Sequence, residues 1–210
     1  MIMALPQEIQ LSRKARFLWG LVIALTITIY STLSLMGNLF SYLSQHLGRQ
    51  RYSTDVDVIL AILLISFALY LTLEKRVRGC FDIVTLIMLF LAAGASMCLI
   101  EYPAKRFHFP EYGLLGGLIF TAFSHNLSGN RLYLSSVALV SLLGGIDEII
   151  QHFLPNRHGK FQDWMIDVAA GMIGIAVAWV LNRPHRANPA KQTLNEIASS
   201  PQSKSRDSSQ

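Results

Sequence analysis

The fold class the sequence predicts is all-α: a polytopic membrane bundle of about six transmembrane helices, followed by a disordered C-terminal tail. Three observations predict it. Apolar residues make up 52% of the chain and charged residues only 15%, a balance that fits a membrane bundle better than a soluble domain. Apolar runs of roughly spanning length recur from Phe17 onward, separated by short polar connections that hold most of the charge. The segment from Asn182 to Gln210 has almost no apolar content and cannot pack a core. The net charge of +5 does not require nucleic acid, because basic residues beside spans set topology and touch anionic lipid.

Residues 1–16 form a polar leader ending in Arg13, Lys14 and Arg16, expected in the cytoplasm. The run Phe17–Met36 is too long for a signal peptide and lacks a clean cleavage site, so it reads as a retained first span. Gly37–Asp55 is a polar connection. Within it Leu39, Phe40, Leu43 and Leu47 share a helical face, which suggests a short interfacial helix or an ordinary loop. Val56–Leu73 is the second span and Phe81–Ile100 the third, with Asp82 near a helix N-terminus. The charged, aromatic segment Glu101–Glu111 follows, and Pro110 suits the first turn of the next helix.

Tyr112–Leu127 is the fourth span, with Gly113 and Gly117 at a spacing that lets helices approach closely. Leu132–Phe153 is the fifth. Asp163–Leu181 is the sixth, with Asp167, Ala170, Gly174 and Ala178 continuing one small-residue face. Cys80 and Cys98 stand roughly 27 Å apart at 1.5 Å per helical residue, so both read as packing residues and not as a disulfide.

An even number of spans puts both termini on one side. Basic residues near span ends favour that side, which the positive-inside rule makes cytoplasmic. The opposite, outer face then collects Lys105, Arg106, His108 and Glu111 before span four. It also collects Asp147, Glu148, Gln151 and His152 at the end of span five, Arg157 and Lys160 in the next loop, and Asp163 and Asp167 at the start of span six. The stretch Gly144–Arg157 is the densest part. Asp147/Gln151 and Glu148/His152 are i,i+4 pairs at the end of an apolar run, and ionisable groups there point to a functional site facing protein or water.

At these residues the chain resembles the VanZ-like family. One block is Lys105-Arg106-Phe107-His108-Phe109-Pro110-Glu111-Tyr112, then Leu115-Gly116. The second is Asp147, Glu148, Gln151, Phe153, Pro155 and Arg157, in the pattern Asp-Glu-x-x-Gln-x-Phe-x-Pro-x-Arg. The third is Asp163 and Asp167, with Gly174 matching the second glycine of a closing pair whose first position is Ala170 here. The likeness runs from about Tyr102 to Gly174. It implies a small bacterial inner-membrane protein, associated with glycopeptide resistance or with envelope and exopolysaccharide functions.

The residues admit more than one role. Glu111 and Glu148 are the candidate catalytic pair for acid/base or nucleophilic work on a sugar; ion pairing with Arg106 and Arg157 is the structural alternative. Arg106, His108, Asp147, Gln151, Arg157, Asp163 and Asp167 are candidate substrate-binding residues. Asp163 also suits a helix cap and Arg157 partner, and Asp167 a polar contact between helices. His108 and His152 share no metal-ligand spacing, so hydrogen-bonded histidines are expected, with no metal and no cofactor. Three function classes stay open. They are an enzyme acting on a lipid-linked or envelope glycan, a non-catalytic binder or assembly factor, and a transporter using the carboxylates as cation sites. The transporter is disfavoured because the acids cluster near one face. The expected partners are membrane lipid and such a glycan, with no nucleic acid; a protein partner is unknown.

Overall fold

The structure is a computed structural model that describes residues 12–73, 79–98, 100, 103–154 and 159–182. Among the described residues six α-helices follow one another: α1 Arg13–Leu47, α2 Arg49–Leu73, α3 Cys80–Cys98, α4 His108–Phe123, α5 Gly129–Phe153 and α6 Phe161–Asn182. A 3-10 turn, Pro103–Phe107, leads into α4, and no strand occurs among the described residues. Among these, α1, α2, α3, α5 and α6 are each long and apolar enough to cross a membrane. Their large apolar side chains point outward, as at Ile65, Met88 and Leu91, which is the arrangement lipid requires and water penalises.

The helix boundaries depart from the sequence expectation in two places that matter. α1 does not end near Met36. It runs unbroken to Leu47, 35 residues or roughly 52 Å, so there is no separate interfacial helix. Phe40 and Leu43 instead close over Tyr52, Val56 and Phe107, while Leu39 and Leu47 are exposed. The break before α2 is a single residue, Gly48, whose φ of 81° lies in the left-handed region that favours glycine. The second concerns α4, which starts at His108, four residues before the expected span, with Pro110 in its first turn as the sequence suggested. Pro110 is tolerated there because the N–H groups of a first turn have no intrahelical acceptor. His108 is therefore a helical residue in register with Tyr112, and the two rings stack with centroids 6.1 Å apart.

α4 is the shortest helix, at 16 residues, and sits at the centre of the bundle. It packs chiefly against α6, and also against α1 and α5. The α4–α6 seam is built on glycine. A Cβ on Gly174 would stand 1.8 Å from the Gly113 carbonyl oxygen, and one on Gly116 would stand 2.3 Å from that of Gly171. Gly113 meets Ala170 and Gly174, Gly117 meets Gly174 and Ala178, and Asn182 donates to Thr121, so the two helices run parallel. α5 runs antiparallel beside them, with Gly144 against Asp167 and Val140 against Gly171.

The neighbours are tied by hydrogen bonds from side chains to backbone. The Tyr30 hydroxyl donates to the Leu143 carbonyl at 2.7 Å, and the Trp164 indole N–H donates to the Ser141 carbonyl at 2.9 Å. Donors from α1 and α6 thus hold α5 from both sides, one turn before its acidic residues. The alternation of helix direction gathers the end of α1, the start of α2, the end of α3, the start of α4, the end of α5 and the start of α6 at one end of the bundle. The first turns of α1 and the last of α6 lie at the other, where Trp19 meets Phe123 and Asn182 meets Thr121.

Candidate functional site

The polar end of the bundle is built around His108. Its Nδ1 lies 3.3 Å from Asp167 Oδ1 of α6 and 3.7 Å from Asp147 Oδ2 of α5. With two carboxylates facing Nδ1, that nitrogen carries the hydrogen. The Tyr112 hydroxyl, one turn along α4, donates to Asp147 Oδ2 at 2.9 Å. Asp147 is 0% exposed and Asp167 1%, so both carboxylates are removed from water and depend on these donors. Each keeps one oxygen, Asp147 Oδ1 and Asp167 Oδ2, without a hydrogen-bond partner among the described residues. Gly144 makes the arrangement possible, since a Cβ there would stand 3.1 Å from Asp167 Cβ.

Above this buried core a narrow pocket opens, lined by Lys105, His108, Glu148, Gln151, Asp163, Ile166 and Asp167. Its free space is about that of one water molecule. Glu148 is held in place by the Lys160 backbone N–H, which donates to Oε2 at 2.7 Å, and by the Gln151 amide, which reaches Oε1 at 3.5 Å. Gly159 lets the loop before α6 close on the end of α5, because a Cβ there would collide with the Glu148 carbonyl oxygen at 2.0 Å. Lys105 forms an ion pair with Asp163, joining the 3-10 turn to α6.

Of the residues anticipated from sequence, His108, Asp147, Glu148, Gln151, Asp163 and Asp167 come together here. Glu111 is half-buried on α4 and does not line the pocket. Arg106 was expected to serve the acids, and the structure corrects this: it turns away, donating to Ser53 and the Ile100 carbonyl and pairing with Asp57 of α2. It braces α2 against the 3-10 turn. Asp163 takes Lys105 as its partner, while Arg157 lies outside the described residues. His152 is exposed and packs edge-on against Phe153, away from the cluster.

Tyr112 enters the sequence reading only as part of the first motif block and the start of the fourth span; its spacing of four from His108 is the signal that it shares the histidine's face. The grouping of His108, Asp147 and Asp167 as one set whose ligating atoms lie within 4.8 Å of one another was not foreseen, because the three come from three helices.

Fold and site together define a polytopic helical membrane protein with a buried histidine–carboxylate cluster at one end of its bundle. The family model VanZ/LLP1 matches residues 11–182, and the chain belongs to that family. The match takes in the first two spans, well beyond the segment whose motifs carried the resemblance. No curated protein and no solved structure matches the chain.

Proposed function

We propose that the protein sits in the bacterial inner membrane with the His108 end outward. There it engages a lipid-linked or cell-envelope glycan and does acid/base chemistry on a hydroxyl or glycosidic bond presented at the pocket mouth. Glycopeptide resistance and polysaccharide metabolism are the settings this reading fits. The observation that carries it is the placement of His108 between two buried carboxylates, directly beneath a pocket that Glu148 also lines. A histidine oriented by carboxylates, with a further carboxylate within the same pocket, is the equipment that moves a proton to or from a reacting oxygen. A pocket of one-water size holds an attacking water or a single hydroxyl, while the sugar ring stays outside at the membrane surface.

A second reading, a non-catalytic binder or assembly factor, is favoured by that same small size, which suits gripping a single group. Purified protein incubated with lipid-linked saccharides separates the two. An enzyme releases product, and Glu148→Gln cuts turnover by about 100-fold or more with affinity nearly unchanged. A binder shows saturable binding without product, and Glu148→Gln changes affinity by about 1–3 kcal/mol. Absence of both binding and product across these saccharides defeats the glycan reading.

A further inference from the structure

We infer that His108, Asp147 and Asp167 form a binding site for a divalent first-row cation, of the manganese or zinc kind. The inference concerns the same end of the bundle but does not require that the site turn over a glycan. Three observations support it. First, the ligating atoms already have nearly the right separations. Ligands bound at about 2.1 Å in tetrahedral or octahedral geometry stand roughly 3.0–3.4 Å apart. His108 Nδ1 stands 3.3 Å from Asp167 Oδ1 and 3.7 Å from Asp147 Oδ2, and the three ligating atoms all lie within 4.8 Å of one another, a spread that one ion can draw together.

Second, Asp147 and Asp167 are 0% and 1% exposed, and each retains an oxygen with no hydrogen-bond partner among the described residues. Both carboxylates face the histidine through their other oxygens. A cation held by the oxygens that face the histidine neutralises two carboxylates that are cut off from water and that the described protein groups satisfy only in part, which offsets the cost of burying them charged. Third, formal charge is unbalanced. Among the described residues, Asp147, Asp167, Glu148 and Asp163 bring four acidic side chains together, with His108 against the first two, whereas Lys105 is the one lysine or arginine lining the pocket and is paired with Asp163.

One imidazole nitrogen and two carboxylates suit manganese or zinc better than the soft ions that select thiolate, and three protein ligands leave positions for water on the pocket side. The Nδ1 hydrogen and the cation are alternatives at the same atom, so metal binding displaces that proton.

The experiment titrates manganese chloride into purified full-length protein in detergent, following free manganese by electron paramagnetic resonance, with zinc chloride as competitor. The expected result is one manganese per chain, displaced by zinc. Asp147→Asn and Asp167→Asn should each weaken binding by about 100-fold or more, beyond what loss of an outer-shell group does. Asp57→Asn, which touches only the Arg106 brace, should bind as the wild type does. Helix content and melting of each variant identify any that fail to fold, and for those the wild-type titration decides. A wild type that holds no stoichiometric manganese or zinc at about 1 mM, a Kd worth only about −4 kcal/mol, overturns the inference. So do folded Asp147→Asn and Asp167→Asn variants that bind normally. A protein that turns over a saccharide yet holds no stoichiometric metal in the titration would count against this site alone, and metal binding without turnover would count against the proposed activity alone.

Discussion

Gly174→Ala tests the claim that the site is held together by the glycine seam. The added methyl carbon would stand 1.8 Å from the Gly113 carbonyl oxygen, against 3.4 Å for the near edge of ordinary contact, an overlap of roughly 1.6 Å. Its obstacle is backbone, which cannot rotate aside, so α4 and α6 must separate. Overpacking costs about 1–3 kcal/mol, and a clash against rigid backbone belongs at the upper end, near 3 kcal/mol. Replacing glycine inside a helix offsets about 0.5–1 kcal/mol. The net expectation is a loss of about 2 kcal/mol, or roughly a 30-fold shift toward the unfolded state.

Gly94→Ala is the internal control, since nothing lies within 4 Å of a Cβ there and only the helix-propensity gain remains. Reversible unfolding in mixed detergent micelles, read by tryptophan fluorescence, measures both. The same separation of α4 from α6 would widen the 3.3 Å contact between His108 and Asp167, so Gly174→Ala should impair any function of the cluster as well. A Gly174→Ala protein as stable as Gly94→Ala would refute the reasoning, since the close parallel approach of the two helices could not then be real.

Three further expectations follow from the same geometry. Tyr112→Phe removes the donor 2.9 Å from Asp147 Oδ2 and should cost about 1–2 kcal/mol, the upper range for interhelical hydrogen bonds in membranes; a double-mutant cycle with Asp147→Asn should show coupling, and additive effects would count against the bond. Arg106→Lys cannot reproduce the fork to the Ile100 carbonyl, Ser53 and Asp57, so hydrogen exchange should speed up at the start of α2 while the His108 cluster is preserved; unchanged exchange at α2 would show that the brace is idle. Cysteines at the exposed positions Gln45 and Asn130 lie at opposite ends of the bundle, and the proposed orientation has an impermeant thiol reagent label Gln45→Cys in intact cells and spare Asn130→Cys; the reverse pattern would turn the site inward.

Composition and the period of apolar runs determined the class of this protein without help from tertiary structure. A chain 52% hydrophobic with most of its charge in connections and at span ends has to satisfy its backbone inside helices, because lipid offers no hydrogen bonds. The motif blocks determined the family. They also named most of the polar end, because ionisable residues at the ends of apolar runs stand out against hydrocarbon. Local sequence could not determine which of those side chains meet. Whether His108 belongs to a loop or to the first turn of α4 depends on how far the central helix is covered by its neighbours, and a helical His108 is what turns the ring toward Asp147 and Asp167.

Arg106 was legible as a cation beside acids, yet which acid it pairs with was decided by the approach of α2, 49 residues earlier in the chain. The long reach of α1 past Met36 was likewise hidden, because Gly37 and the polar residues after it look like a loop until Phe40 and Leu43 find Tyr52 and Phe107 to cover. The histidine–carboxylate cluster was beyond any reading of spacing. Its three members are brought to within 4.8 Å by the parallel glycine seam of α4 and α6 and the antiparallel course of α5 between their ends, and contacts of that kind exist only once the helices have packed.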